Sequence, residues 1–208
     1  MVPQIIDISS NNGNVNFEKI KAAGISEIFI RTSMGFGAKD KNCLEYANKA
    51  SAAGLPVNYY HFSYPDKKMG GTVESDANSE SDYFADTIQK MPKFTRIAVD
   101  CERFNATSDT PLNPQEYYKW LSTFLDHIYS RTGVTPLLYA TSDYLNHRLP
   151  PSHDIQSKCN LWLAQYNSSI TSPVIPHGFK SYLMWQYSDK CSVAGGIFDG
   201  SRFNPSNI

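Results

Sequence analysis

The chain has 208 residues, with 19 basic and 20 acidic side chains and a formal charge of -1. That length suits one large domain rather than two, and with 41% hydrophobic against 19% charged residues the chain has the means to build a core and is not of disordered composition. No basic run accumulates and no stretch of about 18 apolar residues occurs, which argues against a nucleic-acid partner and against a membrane-spanning helix.

Short β-rich runs alternate with longer segments of helical periodicity, the pattern of an α/β protein with a largely parallel sheet. Strands are expected over Gln4 to Ser9, Glu27 to Ser33, Pro56 to Phe62, Ile97 to Glu102, Thr135 to Thr141, Leu161 to Gln165, Ser181 to Tyr187 and Ile197 to Phe203. Helices fit Phe17 to Ala23, Lys41 to Ala53, Val73 to Lys90 and Pro114 to Ser130, with Gly54 and Gly133 standing where C-caps are wanted. Strands with helices between them suggest a barrel, closed within a single domain over residues 1–208. The connection Ser188 to Gly196 is too short for a helical crossover. The last strand is therefore expected to run antiparallel.

The run Ile97-Ala98-Val99-Asp100-Cys101-Glu102 ends in two carboxylates one residue apart. On a strand these share a face, roughly 6 to 7 Å apart at a rise of about 3.3 Å per residue, while Cys101 faces the helices. Two such carboxylates can divide the work of glycoside hydrolysis, one protonating the leaving oxygen and the other staying ionised against an oxocarbenium-like transition state. Asp7 closes another apolar run, before the turn-rich Ser9-Ser10-Asn11-Asn12-Gly13, and Asp199 lies early in the last strand. Both would reach the C-terminal end of the barrel, the face on which such folds build active sites. Any one of these acids is accounted for as a cap or loop solubiliser; their convergence carries the argument.

Tyr59-Tyr60-His61-Phe62 ends the third strand, where one tyrosine or His61 would line the cleft, His61 being otherwise a hydrogen-bonded core residue. Arg31 ends the second strand and could pair with a barrel acid or form a structural ion pair. Trp162 and Tyr166 are candidate sugar platforms, or core. The five histidines show no HxH or HExxH spacing, so no catalytic metal and no cofactor are expected. Cys43, Cys101, Cys159 and Cys191 are scattered, with no CxxC pair, and are expected as free thiols.

Six motifs in order resemble the glycoside hydrolase family 25 lysozymes, the Chalaropsis-type muramidases. Asp7-Ile8-Ser9-Ser10-Asn11-Asn12-Gly13 is similar to the family's D-x-S-x-x-Q-G, with Asn12 in place of Gln. Gly54 to Phe62 is similar to its G-(hydrophobic)-x-V-G-x-Y-H-F, with Asn58 for Gly. Val99 to Glu102 resembles its D-x-E, Leu161-Trp162-Leu163-Ala164-Gln165-Tyr166 its L-W-x-A-x-Y, Met184-Trp185-Gln186-Tyr187 its W-Q-Y, and Phe198 to Phe203 its closing D-x-n-x-f. The resemblance implies a flattened (β/α)5(β)3 barrel with the last strand antiparallel. It implies hydrolysis of the β-1,4 bond between N-acetylmuramic acid and N-acetylglucosamine in bacterial peptidoglycan, an endolysin-like activity. Glu102 would be the general acid and Asp100 its ionised partner, either as nucleophile or by orienting the substrate's own N-acetyl group. Asp7 and Asp199 would set the charge of the cleft, and Tyr60, His61, Arg31, Trp162, Gln165, Tyr166, Trp185 and Gln186 would contact or frame the sugar. The implied enzyme is a monomer acting outside the membrane on the cell wall; the opening Met1 to Asp7 has no secretory signature, which suits a mature secreted form or a phage-released one. The rival readings are a sugar-binding barrel without catalysis and a metal-dependent carbohydrate deacetylase with Asp7, Asp100, Asp199 and His61 as ligands.

Overall fold

A computed structural model describes residues 3–103, 111–167 and 169–207. Its strands are β1 (Ile5–Ile8), β2 (Glu27–Met34), β3 (Ala38–Lys39), β4 (Val57–Phe62), β5 (Ile97–Asp100), β6 (Leu137–Thr141), β7 (Asn160–Ala164), β8 (Met184–Val193) and β9 (Gly196–Phe203). The helices are α1 (Phe17–Ala22), α2 (Cys43–Ala52), α3 (Val73–Ile88), α4 (Pro114–Thr132) and α5 (Ser142–Arg148). The sheet order is β1-β9-β8-β7-β6-β5-β4-β2-β3, and a parallel β1–β2 pairing closes it into a barrel of eight strands, with β3 as a spur on β2. β9 runs antiparallel to both β8 and β1. The barrel is thus five β/α units followed by three strands, as expected.

The helix ends follow local chemistry. Asn113 caps α4 through its side-chain oxygen, Pro114 occupies the first turn, Glu116 returns the capping-box bond and Gly133 closes the helix at φ 69°. Helix α5 and strand β3 go beyond the elements expected from the sequence, the first because seven residues give little periodicity, the second because two residues give none. The larger difference is β8, expected to end at Tyr187 but continuing to Val193. Its polar Ser188-Asp189-Lys190 stretch coincides with two register shifts, and a two-residue turn at Ala194 and Gly195, both at positive φ, leads directly into β9.

Two apolar layers result. Between sheet and helices lies the large core that includes Tyr59, Phe84, Val99, Cys101, Trp120 and Phe124. Inside the barrel, one layer is formed by Ile5, Phe29, Ala98, Leu137, Trp162 and Met184. Phe29 and Trp162 meet there with centroids 4.7 Å apart and ring planes tilted by 47°, a contact worth about 0.5–1.5 kcal/mol beyond its buried area. Because side chains alternate along a strand, the residue two positions further on also points inward, one layer up. From that inner layer the step leads to Asp7, Arg31, Asp100, Tyr139 and Gln186, so the apolar layer is the floor on which a polar layer rests.

Candidate active site

The polar layer opens into a cleft of about 180 Å³, lined by Asp7, Ser9, Asn11, Arg31, Tyr60, Phe62, Asp100, Glu102, Tyr139, Trp162 and Asp199. All four acids singled out in the sequence meet there. Asp7 and Asp199 are directly opposed in the antiparallel β1–β9 pair. Asp100 is the last residue of β5, and the ladder ends with it, although the Cys101 N–H still donates to the Tyr139 carbonyl at 2.9 Å. Glu102 lies past the strand end and is exposed, whereas Asp100 is buried beneath the cleft surface. Cys101 turns the other way, into the helix-side core, in contact with Ser63.

Asp100 Oδ1 is buried and has no hydrogen-bond partner among the described residues. Burial, then the charges of Glu102 and Asp7, hold its carboxyl well above the ordinary range, with Arg31 acting in the opposite direction. Burial and Asp199 raise Glu102. Burial, then Asp199, raise Asp7 strongly, while burial and Asp189 push Asp199 up to about 6. Carboxylates crowded into a poorly solvated cleft cannot all ionise, so near neutral pH the site retains protons. A cleft that holds a proton close to an exposed carboxyl can deliver it to a ligand.

Asn12 and Asn58, the two residues that depart from the resembled motifs, have structural roles. The Ser9 N–H donates to Asn12 Oδ1 at 2.9 Å, fixing the turn that presents Ser9 and Asn11 to the cleft. Asn58 is fully buried near the start of β4, donating to Glu27 at 2.7 Å and accepting from the Arg96 N–H at 2.9 Å.

Tyr60 and Arg31 line the cleft as expected, but the ion pair of Arg31 is with Asp40, following β3, and not with a barrel acid. Arg31 Nε and Nη2 donate to Asp40 Oδ2 at 3.2 and 3.1 Å. Trp162 forms part of the cleft floor, only 2% exposed and tied by its indole N–H to Ser201 Oγ at 3.0 Å. Tyr166 is half-exposed, its hydroxyl bonded to Gln186.

Three expected site residues face elsewhere. His61 is on the opposite face of β4 from Tyr60, fully buried between Ser33 Oγ and Glu80 Oε2 at 2.9 Å each and stacked with Phe84 and Phe124. Trp185 points out of the barrel, where its indole N–H donates to the Gln165 carbonyl at 2.9 Å and Arg202 covers its ring. Gln165 spends its side-chain oxygen on the Val174 N–H at 2.7 Å. Strand parity is the reason for the first two: Tyr60 and Gln186 take the inward positions, so His61 and Trp185 take the outward ones. With His61 behind the sheet, the ligand set imagined for a deacetylase is not assembled. Among the described residues no group of three or more His, Cys, Asp or Glu is arranged to hold a metal ion.

Sequence reasoning passed over Tyr139. Its signal was available, since it stands two residues after the apolar Leu137 at the end of β6, as Asp100 does after Ala98 on β5.

The profile of glycosyl hydrolases family 25 matches residues 6–196. The chain belongs to that family. It is 26% identical to Lysozyme M1 of Streptomyces globisporus over 209 residues, covering 98% of this chain and 68% of that protein. A bacterial lysozyme from Streptomyces coelicolor superposes with a TM-score of 0.84 at 25% identity, over 98% of this chain and 93% of that one. A family GH25 lysozyme from Aspergillus fumigatus gives 0.81 at 27% identity, over 98% and 94%. The chain is thus a glycoside hydrolase, in a family whose compared members are lysozymes and muramidases. No helix among the described residues is long and apolar enough to cross a membrane.

Proposed function

We propose that this glycoside hydrolase is a 1,4-β-N-acetylmuramidase, cleaving the bond between N-acetylmuramic acid and N-acetylglucosamine in bacterial peptidoglycan, with Glu102 as general acid and Asp100 as its ionised partner. The observation that carries the reading is the unequal seating of two neighbouring carboxyls in one cleft. Glu102 is exposed and can touch the glycosidic oxygen, while Asp100 lies buried below it with an unpartnered oxygen. Glu102, whose carboxyl is raised by desolvation in the cleft and by Asp199, is the acid that gives its proton to the leaving oxygen. As that bond breaks, positive charge grows at the anomeric carbon. That charge favours the ionised form of Asp100 beneath it, which burial, Glu102 and Asp7 disfavour in the empty cleft. Arg31, which favours the ionised form of Asp100, acts in the same sense.

Tyr60 and Tyr139 on the cleft wall, with half-exposed Tyr166 at its edge, offer flat apolar faces and hydroxyls to a sugar. The family match and the lysozyme relatives support peptidoglycan as the substrate. The same reading takes residues 1–208 as one catalytic domain, a monomer acting outside the membrane on the wall, without nucleic-acid or membrane partners. The test is hydrolysis of purified peptidoglycan by Glu102→Gln, which keeps shape and removes the acid. The expected loss is at least about 100-fold in rate, the low end for general acid catalysis. A folded Glu102→Gln protein working at the wild-type rate would overturn the assignment.

A further inference from the structure

The barrel strands follow one another in the order β1, β2, β4, β5, β6, β7, β8, β9. In that circle β5 stands across from β9, and β2 across from β7. The cleft acids lie on the first diameter, with Asp100 and Glu102 at and just past the end of β5 and with Asp199 beside Asp7 on β9 and β1. The second diameter crosses it, and an exposed aromatic ring stands at each of its ends. Tyr166 follows the end of β7 by two residues and is 50% exposed, and Phe36 follows the end of β2 by two residues and is 52% exposed.

The neighbours of Phe36 hold it out at the rim. Gly35 and Gly37, at φ 49° and 90°, make the turn from β2 into β3. A Cβ on Gly35 would come within 2.6 Å of the Tyr64 ring, so only glycine lets the turn lie directly on that ring. The Gly35 N–H donates to the Phe62 carbonyl at 2.9 Å. Phe62 lines the cleft, with its ring centroid 5.3 Å from that of Tyr64. The Phe36 ring is braced from the other side by Tyr83 of α3, at 5.8 Å between centroids. Aromatic surface thus leads from the cleft wall to the rim and ends in a ring more than half in water. Such a ring forgoes the stabilisation of burial until a ligand covers it.

We propose that Phe36 is an outlying binding platform for the glycan strand, which crosses the mouth of the cleft from the β2 rim to Tyr166 on the β7 rim and so passes between the two groups of acids. A strand cut at an internal bond is longer than the cleft, and its further sugars need a surface to rest on. The CH face of a pyranose matches a flat apolar ring. Phe36 has no polar tip, so it reads no hydroxyl. It adds affinity for strand length rather than a choice between N-acetylmuramic acid and N-acetylglucosamine.

The inference rests on the cleft cutting within peptidoglycan glycan strands, and two measurements test it. The first compares kcat/KM on soluble strands freed of stem peptides with kcat/KM on the shortest fragment that is cleaved. Phe36→Ala should lower that ratio by roughly 2- to 12-fold, the range for one aromatic contact. Phe36→Tyr, which keeps the flat face, should restore the ratio, and Phe36→Leu, which is apolar without one, should not. An unchanged ratio in Phe36→Ala, or rescue by leucine, would overturn the proposal. The second measurement is calorimetric binding of the long strands to Glu102→Gln with and without Phe36→Ala. A Kd weaker by the same factor is expected, and an equal Kd would overturn the proposal. If Glu102→Gln cut the strands, the reading of the acid would fail by itself and the kinetic ratio would still decide the role of Phe36. If the wild type left them uncut, the muramidase reading would fail and the calorimetry would still decide it.

Discussion

The protein holds two clusters of buried acids, and they are built differently. Under the segment joining β4 to α3, Asp76 accepts the N–H of Asp66 at 3.3 Å, that of Met69 at 3.1 Å and the indole N–H of Trp120 at 2.8 Å. Its neighbour Asp66 is held below the ordinary range, because its bonds to Lys68 more than offset burial. Burial raises Asp76 only to about 6. In the cleft, Asp100 is also buried but has an oxygen with no partner, and burial together with the carboxylates around it raises it further. The contrast teaches what separates a structural acid from a reactive one. Donors on every side stabilise the fold, whereas withheld donors leave a carboxyl whose ionised form waits for a ligand to stabilise it.

The comparison breaks most visibly at Asp100. Asp100→Asn should abolish most turnover on peptidoglycan, a loss of at least about 100-fold, while melting at the same temperature as wild type or higher, because it removes a buried carboxyl whose oxygen has no partner and whose ionisation burial penalises. A matched loss of stability would mean that Asp100 has structural donors after all. Asp76→Ala should do the reverse. It strands the Trp120 indole and two backbone N–H groups, at a cost of about 2 kcal/mol, which for a chain of this size lowers Tm by roughly 4–8 °C. Calorimetry should record that drop, with kcat of the folded protein close to wild type.

A finer test uses pH. Asp199 has a folded pKa raised to about 6 from the ordinary 3.8. Its neutral form is therefore favoured by folding: the contribution is fully present below pH 3.8 and is lost as pH rises through 6. Asp199→Asn removes that loss and should flatten the decline of Tm between pH 4 and 7, by an amount on the order of 1 kcal/mol once solvent screening is allowed for. An unchanged slope would contradict an Asp199 carboxyl raised by burial and by Asp189. The smallest effect is expected at Cys101→Ala, which empties a little helix-side volume. It should cost about 1 kcal/mol in a denaturant titration and leave turnover nearly intact.

The four cleft acids were legible in the sequence because each ends or breaks an apolar strand run, and period two gives them a common face. Parity was not legible where strands carry large apolar residues on both faces. Tyr59-Tyr60-His61-Phe62 is covered by helices on one side and fills the barrel on the other, so nothing in the run itself says which pair faces the cleft. Of the two places open to His61, cleft wall or hydrogen-bonded core, it therefore takes the core. Trp185 was misread because the inward residue beside it is the polar Gln186, the reverse of the usual burial preference. The extent of β8 was hidden by Ser188-Asp189-Lys190, whose polarity looks like a loop and turns out to be a bulged strand. Asp40, the partner of Arg31, comes from the tip of a two-stranded spur too short to leave any periodicity.

The central claim is that this cleft cuts glycan strands on the muramic-acid side, and mass analysis of the new reducing ends after digestion of purified peptidoglycan tests it most directly. The account predicts N-acetylmuramic acid at those ends, in an amount unaffected by chelator or reductant. Reducing ends of N-acetylglucosamine, or intact glycan with the N-acetyl groups removed, would contradict it.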